Sequence, residues 1–320
     1  METGQIRKIT GISLTTAVLY NLGILSPFFA VPLQFSARDS NRSRFLSSSL
    51  FSVILILAFR AMILRPLGAL GFLYVDGFIL FLVVSGLYIC NFELKGITLP
   101  VRIAFVTAGT AVLSMLLLPF AGGLKDQIIL SLNQILSISN ELNLTASGLE
   151  GDSLMNGETL FLIFQDMVGS FGLVWYFFFI AFSLWLGQSL MKRRNGTDSD
   201  TETEGWELPE VWVWFLFVPL TLYLVDRLME VRGIDLLGRV PSYGVSNIVL
   251  ITAGCYAVRG LGIIKRLMNK KGLSVQMQRI LLMTTGFLIV MPGVNLALLI
   301  LIAGLGVSEL WVNYRIFDKE

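Results

Sequence analysis

Two ionisable residues stand inside stretches otherwise apolar enough for lipid: Asp76 in GFLYVDGFILF and Arg259 in AGCYAVRGLGIIKRL. A guanidinium binds a carboxylate or a phosphate through two parallel hydrogen bonds, so each residue could hold the other, or Arg259 could hold a ligand anion. A charge in hydrocarbon is costly unless it is hydrated, paired or, for a carboxylate, protonated. At 1.5 Å per residue, Asp76 falls roughly 3 Å from the centre of an apolar run at 67–89, and Arg259 about 4 to 7 Å from the centre of a run at 245–268. Asp76 is too short to reach an interface easily, which favours the bundle interior or a cavity. Arg259 has two readings: it turns inward to Asp76 or an anion, or it snorkels to the cytoplasmic surface. Asn247 is a further polar candidate on the same run. Arg60, one turn from Arg65 and Pro66, reads as an interface anchor, and Asp226 with Arg227 as a helix end.

Other chemistry is sparse. The chain has no histidine, which removes the commonest metal ligand and general base together. Its two cysteines, Cys90 and Cys255, lie far apart in apolar runs and suggest no disulfide framework. No phosphate loop, dinucleotide fingerprint, zinc spacing or nucleophile elbow occurs, so no catalytic residue, metal site, cofactor or nucleic-acid partner is expected. The sharpest enzymatic reading pairs Glu158 with Asp166, eight residues apart and on one helical face, in a lipid-modifying reaction; surface solvation accounts for them equally.

The elements that must position these residues follow from composition. The 320-residue chain is 55% hydrophobic and 14% charged, with a mean hydropathy of +0.75, and its apolar runs recur along the whole length. They predict an all-α, polytopic transmembrane bundle of eight segments: 9–35, 45–64, 67–89, 99–120, 160–191, 209–228, 245–268 and 279–305. Residues 1–320 read as one transmembrane domain: four segments in 1–120, an extracytoplasmic connection at 121–159, and four segments in 160–320 with a cytoplasmic linker at 195–205. The first run lacks a small-x-small cleavage site and reads as retained structure. Asn21, Gly23, Ser26, Pro27 and Pro32 interrupt it, and Pro292 and Gly293 interrupt the last, so either could be broken or re-entrant.

Loop charges set an expected orientation. Arg38, Arg42 and Arg44, then Lys192, Arg193 and Arg194, then Lys265, Arg266, Lys270 and Lys271 mark three cytoplasmic loops. The connection at 121–159 carries mainly acidic charge and should face outward. Within it, Ile128, Leu132, Ile135, Leu136 and Leu142 share one helical face, with Ser131, Gln134, Asn140 and Glu141 elsewhere: an amphipathic helix covering the outer mouth. Pro209 suits the first position of the sixth helix, with Trp206, Trp212 and Trp214 as interfacial anchors. Gly68, Gly71 and Gly77 in the third segment, and Gly254, Gly260 and Gly262 in the seventh, would let helices approach closely.

Three stretches carry a family resemblance: WELP at 206–209, YAVRGLGII at 256–264 and LGVSELWVNYR at 305–315. In them the chain resembles the YybS-like bacterial integral membrane proteins, a family with no assigned function. It departs from that family's pattern twice: Arg259 stands where glutamine is common, and Ser308 and Glu309 where an aspartate is common. The family is in turn similar, in its broken first helix and small bundle, to the substrate-binding membrane components of energy-coupling-factor vitamin transporters. The resemblance implies a loop-covered cavity near the outer face and a cytoplasmic side that docks partner proteins. The expected protein is thus a non-enzymatic bundle of the bacterial inner membrane that binds a small hydrophobic or anionic molecule or a lipid, as a transporter component. A scaffold organising cytoplasmic or membrane protein partners is the alternative reading, and a lipid-modifying enzyme the third.

Overall fold

The computed structural model describes residues 3–37, 41–66, 69–117, 122–147, 156–195, 206, 208–234, 236–290 and 295–312. The described residues are mostly helical, and no strand occurs among them. In order these are α1 (Thr3–Asn21), α2 (Val31–Ala37), α3 (Arg42–Leu64), α4 (Phe72–Tyr88), α5 (Leu99–Leu117), α6 (Gly122–Ser147), α7 (Gly157–Asn195), α8 (Trp212–Glu230), α9 (Arg239–Lys270), α10 (Val275–Val290) and α11 (Asn295–Ser308). The chain divides into two compact units, Met1–Asp200 and Thr201–Glu320.

Six helices are long and apolar enough to cross a bilayer: Arg42–Leu64, Phe72–Glu93, Leu99–Leu117, Gly157–Met191, Trp212–Glu230 and Arg239–Lys270. They fall on the six uninterrupted runs of the sequence. Helix α8 makes the argument for lipid most directly. It buries only Leu216, Pro219 and Asp226, while Trp214, Phe215, Phe217, Val218, Leu222, Leu224 and Leu228 are exposed. A patch of that size fits hydrocarbon rather than water. The chain is an integral, multi-pass membrane protein.

The first run is divided, as its helix breakers predict. After α1, Gly23 adopts φ +59° and a 3-10 turn containing Pro27 spans Gly23–Phe28 before α2 begins. Aromatic contacts secure the break: Tyr20 meets Phe29 edge-on at 5.0 Å, Phe29 stacks on Phe179 of α7 at 5.4 Å, and Phe28 meets Phe182 at 5.5 Å. In the last run α10 ends at Val290 and α11 starts at Asn295. The MPGVN motif between them falls largely outside the described residues.

Three expectations shift. Helix α8 starts at Trp212 rather than at Pro209, because Trp212, Val213 and Trp214 donate to the carbonyls three residues earlier and make a tighter entry turn. The inward seam of α6 centres on Ile128 and Ser131, while Ile135 is exposed. Gly71 explains the seam: a Cβ there would sit 3.1 Å from the Ser131 hydroxyl and the Gln127 carbonyl, so the helix meets its neighbour through small groups. Leu142, Asn140 and Glu141 have side chains outside the described residues. The third apolar run starts later than its hydropathy implies, at Phe72, and continues through a π turn at Ile89–Glu93. This moves Asp76 to about 10 Å from the centre of that span.

Candidate functional site

Asp76 sits one turn into α4, and Arg60 one turn before the end of α3. In an antiparallel hairpin those positions lie at one depth, and the residues pair: Arg60 Nε donates to Asp76 Oδ2 at 2.8 Å. The Tyr20 hydroxyl, from the last turn of α1, donates to Oδ1 at 2.8 Å. Both carboxylate oxygens are therefore satisfied. At the other end of the hairpin Arg42 meets Glu93 at 3.2 Å. The two ion pairs are separated by about 26 Å of helix, close to the thickness of a hydrocarbon core. Asp76 is a boundary charge tying three helices together, and the Asp76 side chain keeps 10% of its exposure against 34% for Arg60.

A pair intermediate between exposed and buried should be worth about 2 kcal/mol, between the ~0–1 of exposed pairs and the ~3–5 lost when a buried pair is broken. Replacing Asp76→Asn or Arg60→Gln singly should destabilise the protein in detergent by that amount. The double variant should recover part of the loss in a thermal-unfolding cycle; additive losses would contradict the pairing.

Arg259 also has its partner within its own unit. Its Nε donates to Glu309 Oε2, and Arg266 Nη1, two turns along α9, reaches Oε1 at 3.5 Å. Glu309 follows the last residue of α11 directly, so its carboxylate closes the α9–α11 contact. That contact is tight because of glycine. A Cβ on Gly260 would run into the Ile302 carbonyl, and one on Gly306 into the Tyr256 carbonyl. Of the glycines expected to let helices meet, Gly71 and Gly260 do so, whereas Gly77 has nothing within 4 Å of a would-be Cβ. Asn247 is buried and its amide donates to the Tyr243 carbonyl at 2.8 Å. It lies about 18 Å from Arg259 along α9 and is not its neighbour.

Sequence reasoning missed three roles. Arg60 is the ion-pair partner of Asp76 rather than a free anchor, and the mirrored positions of Arg60 and Asp76 about the α3–α4 turn carried that signal. Asp226 is buried, and its carboxylate accepts from the Leu237 backbone N–H at 3.2 Å, so it caps the turn after α8 rather than merely ending the helix. Arg102 binds the carbonyls of Cys90 at 3.0 Å, Lys95 at 3.1 Å and Ile97 at 2.8 Å, satisfying the backbone around the π turn. Glu158 and Asp166 are both exposed on α7.

A further feature is a half-open cavity of about 370 Å³ lined by residues of α4, α5 and α7. Phe81, Ile89, Phe105, Val106 and Leu113 make its walls, and Ser85, Thr110 and Tyr176 supply the hydroxyls at its edge. No lining residue carries a formal charge. Glycines shape it in two different ways. Gly86 admits the Tyr176 hydroxyl, which a Cβ would displace, and that hydroxyl donates to the Leu82 carbonyl at 2.9 Å. Gly109 faces open space, with nothing within 4 Å of a would-be Cβ. The cavity runs from mid-span toward the π turn, where Ile89 and Leu94 line it. Its walls are mainly apolar and come from α4, α5 and α7. A volume of this size, with apolar walls and few hydroxyls, suits a small hydrophobic or amphipathic guest.

No family model, curated protein or solved structure matches the chain.

Proposed function

We propose that this protein is a non-enzymatic, multi-pass protein of the bacterial inner membrane that binds a small apolar or amphipathic molecule, a lipid chain included, between α4, α5 and α7. The observation that carries the reading is the uncharged cavity of about 370 Å³. Acid–base or nucleophilic catalysis needs a group of suitable pKa at the bound substrate, and the lining residues offer only the alcohols of Ser85 and Thr110 and the phenol of Tyr176. Binding energy would come from apolar contact, with the hydroxyls orienting a polar end. Active transport would require an energy-converting partner, and a role as the substrate-binding component of such a transporter fits this division of labour.

The reading is the one that the resemblance to the YybS-like family implies. Arg259 and Glu309, which stand at the positions where the chain departs from that family's pattern, are each other's partners.

The test uses the open face of Gly109. Gly109 lines the cavity and a Cβ there meets nothing within 4 Å, so Gly109→Leu adds its side chain from an uncrowded position, and leucine suits a helix better than glycine. Purified protein screened against lipids and vitamins should show ligand-dependent thermal stabilisation. The variant should fold with equal or greater stability and lose most of that response, at least tenfold in apparent affinity, about 1.4 kcal/mol. Equal responses in both proteins, or none with any ligand class, would count against the cavity as a binding site.

A further inference from the structure

The contact between α9 and α11 carries more positive charge than it neutralises. Arg259 and Arg266 both address one carboxylate, Glu309, leaving one positive charge in excess in the trio. Arg259 and Glu309 are largely withdrawn from solvent, their side chains retaining 16% and 6% of their exposure. Two donors remain without an acceptor among the described residues: Arg259 Nη1 and the Tyr256 hydroxyl, both buried. Their residues lie one turn apart on α9, where the Tyr256 backbone carbonyl meets Gly306 of α11 and Arg259 meets Glu309. Buried donors normally find an acceptor, and each one left over costs about 1–3 kcal/mol, more for a charged group. Arg266 is the open side of the cluster, with 31% of its side chain exposed, and it adjoins the basic run Lys265, Lys270 and Lys271.

We propose that Arg259, Arg266 and Tyr256 form a binding site for a phosphoryl anion. An oxyanion with several acceptor oxygens would answer the excess charge and supply acceptors of the kind that the unfilled donors lack. Two guanidinium groups and a phenol suit the tetrahedral phosphoryl group better than a single carboxylate, which Glu309 already provides. The anion enters past Arg266 and shares the guanidinium groups with Glu309. By the loop-charge rule this end of α9 is cytoplasmic, where both a free phosphate compound and the phosphodiester of an anionic lipid are at hand.

The experiment measures thermal unfolding of the full chain in uncharged detergent against rising inorganic phosphate, with sodium chloride at matched ionic strength, and against mixed micelles containing phosphatidylglycerol. Wild type, Tyr256→Phe and Arg266→Gln are compared. Tyr256→Phe removes only the hydroxyl, so without ligand it should be as stable as wild type or more so. Each variant should bind the stabilising anion about tenfold more weakly, the loss expected for one hydrogen bond to a charged group. Stabilisation by phosphate supports the site and assigns a soluble ligand; stabilisation by phosphatidylglycerol alone supports it and assigns a lipid headgroup. No stabilisation of wild type by either, a shift that sodium chloride reproduces, or variants responding as wild type does would overturn the proposal.

Discussion

Gly306→Val and Gly260→Val should each destabilise the C-terminal unit by about 3 kcal/mol, near the upper end of what overpacking costs. Each glycine faces a backbone carbonyl of the opposing helix: Gly306 that of Tyr256, and Gly260 that of Ile302. A carbonyl on a helix cannot rotate aside as a side chain can, so α9 and α11 must separate. Separation removes dispersion contact along the whole seam, and in lipid that contact is a principal source of helix association. The control lies two residues away. Gly304 has nothing within 4 Å of a would-be Cβ, and Gly304→Ala should be neutral or stabilising by up to about 1 kcal/mol. Thermal unfolding or proteolysis in detergent separates the outcomes. Equal effects at 304 and 306 would mean that the close approach is not what holds these helices.

Glu309→Ala should cost about 3 kcal/mol, because it leaves two guanidinium groups facing each other at the end of α9 with no anion between them. Adding Arg259→Gln should return much of the loss, since the amide is uncharged and hydrogen-bonds without a counter-ion. A double variant no more stable than the single would contradict the pairing. Phosphate offers a second readout: if it occupies this cluster, it should stabilise Glu309→Ala more than wild type.

Much of the architecture was legible because hydropathy reports it directly. Runs near 20 residues with few charges can be little else than spanning helices, and Gly23 and Pro27 fall where the first run divides. Depth within a helix was less legible. Ala69 and Leu70 are apolar enough to extend the third run, yet they lie in the turn before α4, so hydropathy placed Asp76 at mid-membrane when it belongs to a boundary pair with Arg60. The cavity had no signature at all. Phe81, Phe105 and Leu113 look in sequence like any lipid-facing residue; only the packing of α4, α5 and α7 around Gly86 and Gly109 leaves a space among them. Arg259 was visible as a misplaced charge, while nothing in the local sequence marked Glu309 as its partner. Fifty residues separate them, and no local rule joins residues at that distance.

Native mass spectrometry of the protein released from detergent is the most direct test of the cavity as a binding site. Wild type purified from membranes should retain one apolar or amphipathic molecule per chain, and Gly109→Leu, with the cavity filled, should retain none while keeping its fold. Equal retention by the two proteins, or a wild type that carries no guest after reconstitution with lipid, would contradict the account.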